Sequence, residues 1–421
     1  MPILILEAKI LDPQSPFHRK KANVLIKDGL VAYIGSSKPK ANHIIAGKGC
    51  ILTPGWLDLQ ANFCDPGNEQ KEDLTTGREV AMAGGFTEVA VLPNTLPAIQ
   101  TKSDIEYLKR DNAKSLVQLL PVAAISKNID GQDFTEILDL EAAGAIAFSD
   151  GLRPLQNTDL LRKSLLYVQK FKGLVIDRPQ DKWLSQFGVM NEGVNSALLG
   201  MTGIPALAEE LAVARDIQTL EYTGGKIHLS NLSSAKSVAL VSKAKKKGLL
   251  VTCDVAIHQL LFTDEVMREF DAIYKVNPPF RSKNDISALI KGIRNGTIDA
   301  IVSAHQPQDE ENKKLEFEHA AYGMNNMQVM LPLLNMLKKN IPFETLVNKV
   351  SAGPRYILGL DNPIIKKGAR ANMTLLQPAG KWVFDGSTNR SKSANSPFFG
   401  QELTGKVVAV FNNGLYQEIN V

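Results

Sequence analysis

Three polar residues at alternate positions, Gln60, Asn62 and Cys64, close the apolar run that opens with Thr53-Pro-Gly-Trp-Leu-Asp58. In a strand, alternate side chains point the same way, so these three can share one site. A metal centre needs neutral imidazoles and carboxylates, and a carboxamide is a weak, uncharged ligand. Further candidates end later apolar runs: Asp150 in Phe148-Ser-Asp, Arg178 after Asp177, His228 with Asn231, and His305 beside Ala304. The six histidines, His18, His43, His228, His258, His305 and His319, include no His-x-His or His-x-x-x-His pair. No identifiable motif supplies Cys64 with an imidazole, so a packed thiol is expected there rather than a nucleophile. The spacing suits metal or hydrolytic chemistry; most of the residue types do not.

Eight apolar runs alternate with helical stretches between residues 53 and 350. Strands are expected near 57–63, 87–92, 117–124, 145–148, 174–176, 226–229, 249–253 and 300–302. No glycine-rich dinucleotide fingerprint follows the first run, which favours a (β/α)8 barrel over an open doubly wound sheet. In such barrels the chemistry sits at the C-terminal strand ends, where the residues above fall. Residues 1–52 and 351–421 read as short strands and turns that combine into one small β-sandwich. Asp28-Gly29 between apolar runs is a hairpin signal, since glycine takes the positive φ of a tight turn. Asn412-Asn413-Gly414 has the same character. The basic run Lys243 to Lys247, followed by Gly248, reads as a solvated helix end.

Composition narrows the class. The chain has 421 residues, 44% of them hydrophobic, enough for a large buried core. A net charge of +4, from 48 basic and 44 acidic side chains, gives no reason to expect nucleic acid or membrane as a partner. Cys50, Cys64 and Cys253 form no CxxC pair, so neither a disulfide framework nor a cysteine-rich zinc site is expected. With no run apolar enough for a signal peptide or a membrane span, a cytoplasmic location is the default.

Several motifs in order carry a resemblance. Pro54-Gly55-x-x-Asp58, Pro66-Gly67-x-x-x-Lys71-Glu72-Asp73, Ala83-Gly-Gly-Phe-Thr87, Leu92-Pro-Asn94-Thr95, Met190-Asn-Glu-Gly193 and Val276-Asn277-Pro278-Pro279 resemble those of bacterial-type dihydroorotases, in the amidohydrolase superfamily. The resemblance extends to Ser391-Lys392, Asn395 and Pro397-Phe398, nearly the whole chain. It implies a TIM barrel of the metal-dependent hydrolase type. The family holds divalent metal, usually a pair of zinc ions, which activates water and polarises the carbonyl of a cyclic amide.

Residue by residue, the same resemblance implies a dismantled centre. Gln60 and Asn62 stand where the family has His-x-His, and Cys64 where an arginine follows. Asp150 matches an aspartate ligand, with Gly151 replacing a second aspartate. Arg178 takes the place of a ligand histidine, Asn231 that of another, and Ala304 that of the aspartate serving as ligand and general base. A guanidinium about 5 Å from a divalent ion is repelled by ~7 kcal/mol at an effective dielectric of about 20, so Arg178 opposes metal. The expectation is no metal, no cofactor and no catalytic residue, with Arg178 pairing to Asp150 across the vacated pocket because a buried guanidinium needs an acceptor. A weak site from Asp150 and His305 is the alternative, and Asp177 should face away from Arg178. The family's substrate contacts map to Cys64, Asn94, Asn277 and Gln308, with His305 beside them. Asn94 and Asn277 are equally open to a loop-supporting role. The chain resembles noncatalytic dihydroorotase-like proteins that associate with aspartate carbamoyltransferase, which implies a scaffold or regulatory subunit and a homo-oligomer. The alternatives are a working dihydroorotase or other cyclic amidase, and a small-ligand sensor.

Overall fold

In a computed structural model, which describes residues 1–420, eight parallel strands follow one another in sequence order. Barrel strands 1 to 8 are Trp56–Ala61, Phe86–Val91, Gln118–Ala123, Ala147–Phe148, Val175–Asp177, Ile227–Leu229, Val251–Ala256 and Ala300–Val302. Strands 8 and 1 meet at the mouth, where Ala61 bridges His305 and the Asn62 N–H donates to the His305 carbonyl at 2.9 Å. Both faces are buried, hence the near-continuous apolar runs. Leu57, Leu59, Ala90, Val122, Ile176 and Val302 pack together, with Ile357 and Leu358 against them. Phe63, Val89, Phe148, Val175 and Leu229 belong instead to the larger core shared with the surrounding helices. Ile357 and Leu358 come from the helix Ala352–Leu358, which packs against strand 1.

Strand 1 departs from simple alternation. Asp58 lies opposite Val89 and Ala61 opposite Val91, so one extra residue is inserted between them. Such a bulge re-aims the side chains that follow it. Here it separates Asp58, which accepts from Gln60 N–H at 3.3 Å, Ser303 N–H at 3.2 Å and the Ser303 hydroxyl, from Gln60, which Ser230 reaches across the mouth. The strand then docks on the first barrel helix, Leu74–Ala83, where a Cβ on Gly77 would lie 2.6 Å from the Phe63 ring. Only glycine permits that approach.

The two ends of the chain meet in one hydrogen-bonded β unit. Ile51–Pro54 lies between Ile3–Ile10, which it joins in parallel, and Met373–Phe384, which it joins antiparallel. Its core includes Ile5, Val24, Leu52, Leu375 and Phe411. Asp28 and Gly29, with φ of 51° and 74°, form the expected tight turn between Lys21–Lys27 and Leu30–Gly35. Asn413 and Gly414 turn the last hairpin in the same way, and the basic run ends the helix Ala235–Lys246. From this unit Asn395 reaches the barrel mouth, its side chain accepting from Gln308 N–H at 3.1 Å and donating to the Gln306 carbonyl at 3.1 Å.

Candidate functional site

The strand ends bring Gln60, Asn231, Asn277, Ala304 and His305 around a cavity of about 10 Å³, together with His258. That is no larger than one water molecule. Gln60 Oε1 accepts from Ser230 Oγ at 3.2 Å, and Ser230 also donates to Asp254 Oδ2 at 3.0 Å. His228 is fully buried with both ring nitrogens occupied, Nε2 by Asp254 at 2.9 Å and Nδ1 by Thr252 Oγ1 at 2.9 Å. It is thereby fully satisfied by the barrel interior. His305 differs: neither ring nitrogen has a hydrogen-bond partner, and Glu72 Oε2 stands 3.5 Å from Nε2, within ion-pair reach only.

Arg178 enters this mouth from strand 5, while Asp177 turns outward as expected, accepting from Leu155 N–H at 3.1 Å and from Arg215 at 3.1 Å. The expected pair between Arg178 and Asp150 does not form. Arg178 Nη1 donates to the Leu152 carbonyl at 3.2 Å and Nη2 to the Asn277 carbonyl, tying the loop after strand 4 to the loop after strand 7. Its Nε is unpartnered, and among the described residues no carboxylate forms an ion pair with it. Burial pulls its pKa down to about 10, and burial with the nearby guanidinium pulls His258 down to about 3. Two carbonyl dipoles stand in for the missing counter-charge.

Asp150 is spent elsewhere. Oδ1 accepts from Ile125 N–H at 3.0 Å and Ser126 N–H at 2.9 Å, and Oδ2 from the Ser126 hydroxyl at 2.5 Å, so the carboxylate caps the loop after strand 3. Burial pushes its pKa up to about 6 against the lowering effect of the Ser126 and Ile125 hydrogen bonds. Asn94 supports the neighbouring loop: it donates to the Asp150 carbonyl at 3.1 Å and accepts from Leu152 N–H at 2.8 Å. A Cβ on Gly151 would fall 1.9 Å from Asn94 Oδ1, which accounts for glycine at that point. Asn277 donates to Gln180 Oε1 at 3.0 Å and leaves its own Oδ1 unpartnered.

Cys64, Asn231 and Ala304 all hold left-handed backbone, with φ of 60°, 57° and 48°. Non-glycine residues pay ~1 kcal/mol or more for that region, and such positions cluster at functional sites. At Ala304 that conformation is held although the methyl side chain carries no chemistry. The Cys64 thiol packs at 4% exposure, and burial pushes its pKa up to about 12, which disfavours the thiolate.

The family's metal does not fit this donor set. Three carboxamides counting Asn231, a guanidinium and a methyl group occupy the matched positions, and Asp150 and His228 are committed to other donors and acceptors. His305, whose ring nitrogens are unpartnered, has among the described residues only Glu72 within ion-pair reach. Among the described residues no group of three or more His, Cys, Asp or Glu side chains is placed to hold a metal ion. A second, wider cavity of about 290 Å³ lies beside the first, lined by Asn62, Cys64, Lys71, Asn94, Arg153 and Gln308 among others. Lys71 Nζ donates to Gln308 Oε1 at 2.9 Å, and Gln308 donates to the Tyr322 carbonyl at 2.9 Å. Sequence reasoning passed over Lys71 and Glu72 as motif residues and over Arg153 and Asp254 altogether. Lys71-Glu72 next to a strand end was the one available signal.

A family model described as dihydro-orotase-like matches residues 49–237. The dihydroorotase of Syntrophus aciditrophicus (strain SB) is 39% identical over 99% of this chain and 100% of its own length. That of Geobacter sp. (strain M21) is 38% identical over 97% of each. Among solved structures, the L-hydantoinase (dihydropyrimidinase) of Arthrobacter aurescens superposes with a TM-score of 0.84 over 100% of this chain and 97% of its own, at 21% identity. A D-hydantoinase gives 0.82, also at 21%. At that identity the likeness speaks for the fold, and it supports the barrel with its terminal β unit. No helix among the described residues is long and apolar enough to cross a membrane. With relatives this similar over its full length, the chain belongs to the dihydroorotase family.

Proposed function

We propose that this chain is a cytoplasmic member of the dihydroorotase family, acting in pyrimidine biosynthesis, that has kept the barrel and given up hydrolysis. It serves as a scaffold or regulatory partner of aspartate carbamoyltransferase. The observation that carries this reading is Arg178, a buried cation fixed to the Leu152 and Asn277 carbonyls where the family places a metal ligand. Ala304 removes the residue matched to the general base, and no other acid takes that place in the small central cavity. The partner is carried over from noncatalytic dihydroorotase-like chains.

A second reading is favoured by the relatives themselves, which are named dihydroorotase at 39% and 38% identity. On that reading the chain hydrolyses dihydroorotate or another cyclic amide through different groups, of which the His305 and Glu72 pair is the nearest available. Two assays on the purified chain separate the readings. Dihydroorotate turnover, with and without added zinc, is expected to stay at the rate of buffer. Co-expression with aspartate carbamoyltransferase from the same source is expected to yield a complex that survives gel filtration. Zinc-dependent turnover would overturn the noncatalytic reading; two separate peaks would overturn the scaffold.

A further inference from the structure

Seven of the 23 large hydrophobic residues exposed among the described residues lie between 183 and 211, a stretch of 29 in 421. This stretch is the excursion between barrel strand 5 and the start of the long helix after it, Ala206–Thr223. Trp183 and Phe187 are 73% and 75% exposed, with Leu184 beside them, and the short helix Val194–Leu199 turns Val194 and Leu198 outward at 76% and 73%. Leu207 and Leu211 lie exposed one turn apart on the long helix. Their orientation is fixed from behind. Asn195 is buried, donating to Asp264 Oδ1 at 2.9 Å and accepting from Arg268 Nε at 3.1 Å, and buried Glu209 accepts from Ser233 N–H at 3.0 Å. The pieces are also joined to one another. Asp181 N–H donates to the Ala208 carbonyl at 2.8 Å, Val189 N–H donates to the Thr202 carbonyl at 3.0 Å, and Met190–Asn191 pairs with Gly203–Ile204.

Taking about 200 Å² for a large apolar residue, the exposed parts of these seven amount to roughly 850 Å². That exceeds the ~300–600 Å² of the largest apolar patch on an ordinary monomer and matches the ~800 Å² that each partner contributes to a stable interface. The exposed charged residues between 182 and 211 are Lys182 and Glu192 alone, and among the described residues neither has an ion-pair partner. Lys182 Nζ lies 5.3 Å from the Trp183 ring, at the edge of the apolar face. One cation and one anion leave this face neutral, so it does not repel a copy of itself, and a two-fold axis can bring Lys182 of each copy to Glu192 of the other. A strongly acidic or basic partner finds no net charge here to match. We infer that this face is a two-fold interface between two copies of the chain, with Trp183 and Phe187 buried at its centre and two reciprocal Lys182–Glu192 pairs at its rim. The inference holds whether or not the chain hydrolyses a cyclic amide.

Sedimentation velocity of the full chain over a range of micromolar concentrations tests it. A species of twice the chain mass is expected. Trp183→Asp and Phe187→Asp should each weaken dimerisation at least about tenfold, and Tyr356→Asp, at a 72% exposed aromatic in the helix Ala352–Leu358, should leave it unchanged. Lys182→Glu and Glu192→Lys should each weaken it about threefold, and the two together should restore it, which requires the side chains to meet across copies. Unfolding curves confirm that each variant is folded. A monomer at every concentration, including one that joins only a complex with a different protein, overturns the inference, as does a dimer unmoved by both Asp variants. A doubly reversed variant no tighter than the single ones overturns the two-fold arrangement.

Discussion

Substituting Asp150 by asparagine separates a structural carboxylate from a metal ligand by the sign of a pH dependence. Asp150 accepts three hydrogen bonds from the loop after strand 3 and, among the described residues, forms no ion pair with Arg178 or any other cation. Burial outweighs those bonds and raises its pKa from 3.8 to about 6. A carboxyl with a raised folded-state pKa contributes stability that is complete below the unfolded value and disappears as pH rises through the folded value. Its contribution therefore falls between pH 4 and pH 7. With those two pKa values the linkage relation gives about 2 kcal/mol of stability at pH 4.5 and close to none at pH 7.5. Asparagine cannot titrate, so the stability difference between wild type and Asp150→Asn should shrink by about 2 kcal/mol from pH 4.5 to 7.5. Urea unfolding of both proteins at several pH values across that range, each without added metal and then with zinc, measures it. A difference that grows with pH would refute the reasoning, because that is the behaviour of a carboxylate held ionised by a cation or a metal.

Two further outcomes follow from the same mouth. Arg178→Met gives up two charge-assisted bonds to carbonyls, worth ~1.5 to 3 kcal/mol each, and is relieved of a desolvation that costs a few kcal/mol. Its unfolding free energy should stay within about 2 kcal/mol of wild type, and a loss above about 4 kcal/mol would show that the loop tie matters more than the buried charge costs. Cys64, with its thiol pushed up to about 12, should be inert to a thiol-titrating disulfide reagent at pH 8 in the native chain and react at once in urea. Fast labelling of Cys64 in the native state would contradict the packed-thiol account.

Much of this arrangement is legible in the chain itself, and the exceptions share a cause. Apolar runs such as Phe86–Val91 and Val251–Ala256, separated by helical stretches, mark the barrel because strands buried on both faces have no polar face to show. The replaced positions, Gln60, Asn62, Arg178, Asn231 and Ala304, are readable for the same reason: residue type is read directly. Direction is not. Strand 4 is only Ala147–Phe148, so nothing in the chain fixes how Asp150 leaves it, and the three donors that claim Asp150 come from a loop 24 to 25 residues earlier. The bulge in strand 1 inserts one residue without a glycine to mark it. Arg178 was expected to seek a carboxylate, the strongest acceptor nearby in the motif, and found two backbone carbonyls, which every residue has and no sequence distinguishes. The wider cavity was missed because Lys71 and Arg153, which line it, are 82 positions apart and each is ordinary alone.

On the proposed reading this member lacks the family's metal centre because its donor set has been replaced and Arg178 opposes a cation. Elemental analysis by mass spectrometry, on the full chain expressed in zinc-supplemented medium and purified without chelator, decides the point. Zinc and other divalent ions are predicted to be at background, and dialysis against zinc should leave the unfolding midpoint unchanged. One or two ions retained per chain, with a midpoint that falls on chelation, would contradict the account.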